Sequence, residues 1–288
     1  MKIDVHTHIF PPEVVADRDR YFTGERMFHA LYGNPKAKLA TAETLIDAMD
    51  ESEIDRSVTF GFPWQDSGFT KRHNDYVLES ASKYPSRLVP LGCVNPLAEG
   101  ALEESQRVLQ AGAKGLGELA IYEQCNQSAA LDSYKGLIEC CRARDGILLI
   151  HANEPIGHLY PGKAPFGVDF YYSIARLAEG LPLILAHWGG GLGFYELLKK
   201  EVSETLASVY YDTAASPFLY RSEIYTQMTK ILGAGRILFG TDYPLLGASR
   251  YFDEMDESGL SAEDFDAITG GNADRLLGLS QSGSEKLL

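Results

Sequence analysis

The sequence predicts an α/β protein, and within that class a single (β/α)8 TIM barrel over residues 1–288. Eight short apolar runs alternate with eight amphipathic segments, which is the order of strands and helices in a parallel barrel. The length of 288 residues also suits such a barrel, which typically has about 250. A doubly wound open sheet is the alternative, but no GxGxxG motif follows the first run.

The predicted strands are runs of apolar and β-branched residues, and several of them are apolar almost throughout. Parallel strands that are covered on both faces have this composition. The eight runs are Ile3–His8, Arg56–Phe62, Leu88–Asn95, Ala113–Leu119, Gly146–Asn153, Leu181–Trp188, Val209–Thr213 and Arg236–Asp242.

The segments between these runs carry start and stop signals of helices. Thr41 and Ser261 are predicted N-caps, and Gly112, Gly180 and Gly278 are predicted to end helices. The polar tail, Ser280–Leu288, is expected to fray. Helices are predicted over Thr41–Asp50, Lys71–Tyr84, Ala98–Ala111, Asp132–Arg144, Asp169–Glu179, Leu192–Leu206, Phe218–Leu232 and Ser261–Leu277.

Two connections, Phe10–Ala40 and Glu154–Val168, are longer than a barrel requires. Both would lie at the carboxyl ends of the strands, where active sites of this fold are built. Long loops in this position commonly act as lids or interfaces, and a solvent-facing excursion is the alternative. Their aromatic residues argue against full exposure: Tyr21, Phe22, Phe28, Tyr32, Tyr160 and Phe166.

The composition restricts the partners of the protein. A hydrophobic content of 45% suffices for a large core, and a net charge of −14 argues against nucleic acid or an anionic membrane as a partner. We therefore expect a small-molecule substrate, and an anionic one would need a metal ion or an arginine to balance its charge. Association into a homo-oligomer is left open.

The sequence also predicts a cytoplasmic location. The N-terminus lacks the pattern of a secretory signal, and no apolar run reaches the ~18 residues of a membrane span. No two of the four cysteines form a CxxC pair, which is typical of reduced thiols in a cytosolic protein. These cysteines are Cys93, Cys125, Cys140 and Cys141.

Polar residues that bind metals end five of the eight predicted strands. His6 and His8 project from the same face of the first strand, because side chains two residues apart point the same way. The carboxyl ends of barrel strands converge on one mouth. A single such residue is often a satisfied polar group of the core, but five strands with one each favour a site. The residues are His6, His8, Glu118, His151, His187 and Asp242.

These residues belong to motifs that resemble those of the amidohydrolase superfamily. The chain is most similar to its amidohydrolase-related branch, which includes aminocarboxymuconate semialdehyde decarboxylase, resorcylate-type decarboxylases and several lactone or ester hydrolases. The resemblance covers essentially the whole chain and is specific for the superfamily and the fold, but not for the substrate. The motifs are His6-Thr7-His8, His151, Ala186-His187-Trp188-Gly189-Gly190, Phe239-Gly240-Thr241-Asp242-Tyr243-Pro244 and Gly271-Asn272-Ala273-Asp274-Arg275-Leu276-Leu277.

The resemblance implies a metal centre. His6, His8, His151 and Asp242 would bind one divalent ion, with zinc as the first choice, and His187 would be a catalytic acid or base beside it. In binuclear members of the superfamily the histidine at this position binds a second ion, and Glu118 is placed to bridge the two ions. A buried Glu118 that only forms hydrogen bonds within the barrel is the alternative.

The function expected first is that of a metal-dependent hydrolase acting on a small organic ester, lactone or amide through a metal-activated water. Asp242 would bind the metal and accept a proton from that water, and His187 would position or protonate the developing oxyanion. The alternative is a metal-dependent non-oxidative decarboxylase, a carboxy-lyase of a small unsaturated or aromatic acid. A metal-binding barrel without catalysis is a third interpretation, and it is disfavoured because every position that the chemistry needs is filled.

Several further residues are predicted near the substrate, although packing is the alternative for each of them. Their aromatic rings suit a planar or apolar organic molecule. Asp4 would either orient a metal ligand or be a satisfied inward-facing residue. Arg18, Arg20 and Arg26 could neutralise a carboxylate, with a solvated loop as the alternative. The predicted substrate-binding residues are Trp64, Tyr122, Asn153, His158, Trp188 and Tyr243, with Asn95 and Tyr160 as weaker candidates.

Overall fold

The computed structural model of the protein describes residues 1–280, so the predicted tail lies outside it from residue 281 onward. Within residues 1–280 there are eight strands, and each lies inside one of the predicted apolar runs. β1 spans its whole run and the other strands are shorter than theirs; in β5, β6 and β8 the regular pairing ends before the polar residue near the carboxyl end of the run. They are β1 (Ile3–His8), β2 (Arg56–Phe60), β3 (Leu88–Pro90), β4 (Gly115–Leu119), β5 (Ile147–Ile150), β6 (Leu183–Leu185), β7 (Val209–Asp212) and β8 (Ile237–Leu238).

All neighbouring strands are parallel and form two sheets, with the orders β1-β2-β3 and β4-β5-β6-β7-β8. At one seam between the sheets, the Gly92 N–H donates to the Gly115 carbonyl at 3.0 Å. At the other, the Val5 N–H donates to the Phe239 carbonyl at 2.8 Å, and Thr7 forms an isolated bridge with Tyr243. Hydrogen bonds therefore link the strands in a ring, although both seams lack a continuous ladder.

Both faces of the strands are buried. Leu148 and Ile150 belong to one apolar cluster, and the alternate residues Ile147 and Leu149 belong to a second. Since side chains alternate across a strand, β5 is packed on both sides, as the apolar run predicts.

The helices mostly follow the prediction and begin at the expected kinds of cap. The Thr41 side chain caps α3 by accepting from the Thr44 N–H at 3.3 Å, and the Ser261 side chain caps α12. The helices are α1 (Pro12–Ala16), α2 (Arg26–Tyr32), α3 (Ala42–Glu51), α4 (Ser67–Lys83), α5 (Ala101–Gln110), α6 (Gln127–Arg142), α7 (Val168–Leu177), α8 (Glu201–Thr205), α9 (Ser216–Leu219), α10 (Glu223–Leu232), α11 (Ser249–Glu257), α12 (Ala262–Asp266) and α13 (Asn272–Leu277).

Three helix predictions need correction. The predicted helix Leu192–Leu206 is wrong, because a 3-10 segment over His187–Leu197 is followed only by the short α8. The predicted helix Phe218–Leu232 is interrupted between α9 and α10. The predicted helix Ser261–Leu277 is divided into α12 and α13 by a π turn over Ala267–Gly271, and helices α1, α2 and α11 were not predicted.

The segment after β6 starts with a left-handed turn. Its five residues, from His187 to Gly191, all have positive φ between 55° and 88°. A Cβ atom on Gly190 would lie 2.3 Å from the Asn153 carbonyl oxygen, and one on Gly189 would lie 2.8 Å from the Tyr211 ring. Glycine is required here by the backbone conformation and by the close approach, and the turn prevents a regular helix from starting after β6.

The long connection Phe10–Ala40 packs as a small core of its own rather than as a free lid. Phe10, Phe28 and Trp64 are buried together in a third apolar cluster. The buried carboxylate of Glu25 accepts hydrogen bonds from the backbone N–H groups of Gln65 at 3.0 Å and Asp66 at 2.8 Å. These contacts join the connection to the start of α4.

Over the part of the chain that the structure describes, no helix is both long and apolar enough to cross a membrane. The four cysteines are free thiols, as predicted, and Cys93 and Cys141 are buried.

Candidate metal centre

The six polar residues predicted at the strand ends come together at one mouth of the barrel. Five of them are buried, with exposed fractions between 0% for His6 and 8% for His8 and His151. Asp242 is half-buried and has a positive φ of 59°. They are delivered by β1, by β4 and by the first residues after β5, β6 and β8.

Glu118 lies at the centre of this group. Its Oε2 atom is 3.7 Å from Nε2 of both His6 and His8. Its Oε1 atom is 2.9 Å from Nδ1 of His151 and 3.3 Å from Nε2 of His187. One carboxylate thus contacts all four histidines of the site.

Asp242 completes the ring on the side of β1. Its Oδ1 atom is 3.3 Å from Nε2 of His8 and 3.6 Å from Nε2 of His6. Nε2 of His6 and Nε2 of His151 are buried and have no hydrogen-bond partner. Buried polar atoms are seldom left without a partner, so these two nitrogens indicate that a ligand belongs between the side chains.

In three of the four histidines, Nδ1 is held by the protein. Nδ1 of His6 is 2.8 Å from Oδ2 of Asp212, Nδ1 of His8 donates to the Gly61 carbonyl at 3.1 Å, and Nδ1 of His187 donates to the Ala214 carbonyl at 3.0 Å. Nε2 of each ring then faces the centre. Metal-binding histidines usually have this arrangement, in which the second nitrogen is fixed by a hydrogen bond.

Among residues 1–280, three sets of side chains bring their ligand atoms within 4.8 Å of one another, which is close enough to hold an ion. His151 shares a set with Glu118 and His187, but not with the two histidines of β1. The four ligands predicted for one ion are therefore not gathered as a single set, since His151 contacts the others through Glu118. The sets are His6, His8 and Glu118; His6, His187 and Asp242; and Glu118, His151 and His187.

The carboxylates control the charge of the site. Burial alone would lower the pKa of His187, but the hydrogen bond and charge of Glu118 outweigh it and raise the pKa to about 10. Burial alone would also lower the pKa of His6, but the charges of Asp212 and Glu118 outweigh it and raise the pKa to about 9. The neighbouring histidines in turn lower the pKa of Glu118 well below its usual range, against the effect of burial.

Asp212 is a site residue that the sequence analysis missed. It is fully buried at the end of β7, and its two oxygens accept hydrogen bonds from Nδ1 of His6 and from the N–H groups of His187 and Ala214. A signal was present, because Asp212 and Thr213 end the seventh apolar run just as the other polar residues end theirs.

Of the predicted substrate-binding residues, Tyr122 lies beside the metal ligands and His158 lies in an exposed loop. The Tyr122 ring is partly buried, with its centroid 5.4 Å from that of His151, so it lies beside the ring of ligands. His158 is exposed in the connection after β5, where its carbonyl accepts from Nζ of Lys163 at 3.3 Å. The hydroxyl of Tyr160, in the same connection, donates to Glu154 at 3.5 Å.

The other four predicted substrate-binding residues have their polar atoms occupied by protein partners. The indole N–H of Trp64 donates to Nδ1 of His73 at 2.8 Å, and that of Trp188 donates to Ser216 at 2.9 Å. The Asn153 side chain bonds to the backbone of Ala164, and the Tyr243 hydroxyl donates to the Thr44 carbonyl. The Asn95 side chain similarly accepts from the Leu97 N–H.

Asp4 and the three arginines of the first connection also have defined positions. Oδ1 of Asp4 accepts from the N–H groups of His6 and Thr241, both at 3.0 Å, and Oδ2 accepts from the Thr241 hydroxyl at 2.5 Å. Asp4 thus joins β1 to the residues after β8 without touching an imidazole nitrogen. Arg18 donates to the Tyr32 and Ala37 carbonyls, whereas Arg20 and Arg26 are exposed.

A parallel α/β barrel that gathers imidazoles and carboxylates at the carboxyl ends of its strands has the architecture of a barrel enzyme. The chain belongs to the amidohydrolase family, because the model of that family, described as Amidohydrolase, matches residues 3–279. The resemblance seen in the sequence is thereby confirmed.

Known relatives include decarboxylases. The chain is 24% identical over 255 residues to a gamma-resorcylate decarboxylase of Polaromonas sp., which covers 73% of this chain and 76% of that protein. A dihydroxybenzoic acid decarboxylase from Polaromonas sp. JS666, solved with bound manganese and the inhibitor 2-nitroresorcinol, superposes with a TM-score of 0.75 at 22% identity and 99% coverage of both chains. A 5-carboxyvanillate decarboxylase from Sphingomonas paucimobilis gives a TM-score of 0.75 at 17% identity, covering 96% of this chain and 98% of that one. These structures confirm the predicted barrel fold.

Proposed function

We propose that this protein is a divalent-metal-dependent, non-oxidative decarboxylase of a small hydroxylated aromatic acid. The observation that carries the proposal is the ring of imidazoles and carboxylates, in which Nε2 of His6 and of His151 is buried without a partner. The relatives described above are decarboxylases. They favour decarboxylation, which was the alternative expected from the sequence, over the hydrolysis that was expected first.

The side chains fit a divalent cation. His6, His8, Glu118 and Asp242 would hold it, since Nε2 of both histidines lies within 3.7 Å of both carboxylates. Imidazole and carboxylate ligands together suit zinc and manganese alike, so the donor set leaves the choice between the two ions open. When bound, such a cation polarises the oxygens of an aromatic acid and balances their charge.

An anionic substrate needs this positive charge. In the described part of the chain, the ion pairs of Glu118 and Asp242 are all with histidines, not with lysine or arginine. Without a cation, a substrate carboxylate would approach the carboxylates of Glu118 and Asp242 and would be repelled. Binding of the acid is therefore expected to depend on the metal.

His187 is the proposed proton donor. Its Nε2 faces the ring of ligands at 3.3 Å from Oε1 of Glu118, and the hydrogen bond and charge of Glu118 raise its pKa, which favours the protonated form. As the bond between the ring carbon and the carboxyl group breaks, the electron pair stays on the ring carbon. That carbon takes the proton from Nε2, so the carboxylate leaves as CO2 and the arene retains one hydrogen.

The mouth of the site suits a planar molecule. Tyr122 lies beside His151, and burial together with the charge of Glu118 raises the pKa of its phenol well above the usual value. Tyr122 is thus a neutral hydroxyl beside the site. Sites for small organic ligands commonly combine aromatic rings with a few hydrogen-bonding groups, and Tyr122 supplies one of each.

The test is decarboxylation by the metal-loaded protein in D2O. The purified chain, reconstituted separately with Zn²⁺ and Mn²⁺, is incubated with 2,6-dihydroxybenzoate and with 5-carboxyvanillate. We expect release of CO2 and one deuterium on the carbon that carried the carboxyl group, with no reaction in the metal-free protein. Hydrolysis of aryl esters or lactones without any decarboxylation would contradict the proposal and restore the hydrolase.

A further inference from the structure

We propose that Asp212 is a positioning residue that fixes the tautomer of His6 and thereby keeps Nε2 of His6 free to bind the metal. This inference rests on the proposed metal-dependent function. The carboxylate is fully buried at the end of β7, and its hydrogen bonds join the first histidine of the site to the turn that carries His187.

The two oxygens of Asp212 accept hydrogen bonds from different donors. Oδ1 accepts from the backbone N–H groups of His187 at 2.8 Å and Ala214 at 3.0 Å, and neither donor can become an acceptor. Oδ2 faces Nδ1 of His6 at 2.8 Å. A carboxylate oxygen can only accept, so Nδ1 must carry a hydrogen, and in the neutral ring that binds a metal the lone pair therefore lies on Nε2.

An amide in this position would reverse the tautomer. In Asp212→Asn, the amide oxygen is required by the N–H groups of His187 and Ala214, so the amide NH2 group faces Nδ1 of His6. Nδ1 must then accept, and the hydrogen moves to Nε2, where it blocks binding of a cation. The same substitution beside the histidine of a Ser-His-Asp triad impairs catalysis through the wrong tautomer.

Asp4 provides a matched control. It is buried as well, and one of its oxygens also accepts from two backbone N–H groups, those of His6 and Thr241. Its other oxygen faces the Thr241 hydroxyl instead of an imidazole. A hydroxyl both donates and accepts, so in Asp4→Asn the Thr241 oxygen can accept from the new amide as well as from the Tyr243 N–H, and no histidine tautomer changes.

The experiment measures the affinity for Zn²⁺ of wild type, D212N and D4N by competition with a chelator, after circular dichroism has checked that each is folded. We expect D212N to bind zinc about 10- to 100-fold more weakly than wild type, the usual effect of removing a hydrogen-bond partner of a metal ligand. We expect D4N to bind like wild type. Wild-type affinity in D212N, or an equal loss in D4N, overturns the inference.

A second measurement decides the matter if D212N does not fold. Long-range ¹H–¹⁵N spectra of the zinc-loaded wild type, assigned with a His6→Asn variant, report which nitrogen of His6 carries hydrogen. We expect hydrogen on Nδ1 and zinc on Nε2, and the opposite arrangement overturns the inference while the proposed function stands. A wild-type protein that binds no divalent cation overturns the proposed function, and the inference with it.

Discussion

At the scale of the residue, the site depends on which nitrogen of each histidine is left free. His6, His8 and His187 have Nδ1 engaged by a carboxylate or a carbonyl, so Nε2 points inward. His151 is different, because its Nδ1 contacts Glu118 at the centre of the site. Glu118 therefore determines how His151 takes part in the site.

His187→Gln tests the proton donor. Loss of the proton held on Nε2 should lower kcat for decarboxylation by about 10²- to 10⁴-fold, the usual contribution of a general acid. Because the proposed ligands His6, His8, Glu118 and Asp242 are unchanged, metal content measured by mass spectrometry should stay near that of wild type. His29→Gln, an exposed histidine on α2, is the control and should keep full activity. A fully active H187Q would exclude this role.

Gly190→Ala tests the left-handed turn after β6. The new Cβ would lie 2.3 Å from the Asn153 carbonyl oxygen on a backbone with φ of 59°. Strain and overpacking together should lower the free energy of unfolding by roughly 2 to 5 kcal/mol, measured by urea denaturation. Gly235→Ala is the matched control, because a Cβ there meets no atom within 4 Å. Equal stabilities of the two variants would refute this explanation of the glycine.

The residues of the site were predictable to different degrees. His6, His8, His151, His187 and Asp242 were found because each ends an apolar run. The central position of Glu118 depends on distances between different strands, and no spacing along the chain encodes those distances. Trp64 and Trp188 were predicted near the substrate because aromatic residues suit a ligand, but burial of a large ring follows equally from packing.

At the scale of the element, the strands were easier to predict than the helices. A strand such as Ile147–Ile150 is buried on both faces, so its sequence is apolar throughout and stands out. The segment Leu192–Leu206 has a helical pattern of apolar residues, but the left-handed turn before it sets the direction of the chain, and only tertiary contacts stabilise that turn. Helix α11, between β8 and Ser261, has no counterpart among the predicted helices.

Helix α4 carries a histidine that should make stability depend on pH. His73 is buried, its Nδ1 accepts from Trp64, and its Nε2–H donates to the Ile9 carbonyl at 2.6 Å. Burial lowers its pKa from 6.5 to about 4. Between these values the unfolded chain binds a proton that the folded chain excludes, so stability falls as the pH falls through this window.

The effect is measured as the difference between wild type and His73→Gln. From pH 7 to pH 4 the free energy of unfolding of wild type should fall by about 3 kcal/mol more than that of the variant, at 1.36 kcal/mol for each pH unit of the pKa difference. Both proteins contain the same other titrating groups, so these cancel in the comparison. Parallel pH profiles of the two proteins would show that His73 is not held neutral by the fold.

At the scale of the whole molecule, the candidate metal centre spans both sheets. His6 and His8 come from the three-stranded sheet, and Glu118 comes from the five-stranded one, as do the strands that precede His151 and His187. Within residues 1–280 the backbones of the two sheets join at two seams, where isolated bridges replace continuous ladders. A bound cation would therefore join the two sheets directly.

Metal binding should stabilise the fold and protect the seams. At a free metal concentration of 1,000 times Kd, the free energy of unfolding should rise by about 4 kcal/mol, measured by denaturant titration with and without chelator. Hydrogen exchange should slow most at the N–H groups of the seams, including those of Val5, Gly92 and Asp242. Uniform slowing over the whole barrel, or none, would contradict a bridging role of the ion.

The division into two sheets has a consequence for how such a protein can arise and be taken apart. A fragment ending after β3 carries His6 and His8, and a fragment starting before β4 carries Glu118, His151, His187 and Asp242. Neither fragment holds all four proposed ligands of the ion, His6, His8, Glu118 and Asp242. Each fragment expressed alone should therefore be inactive. Activity would return only when both are present with the cation, which makes catalysis a reporter of fragment complementation.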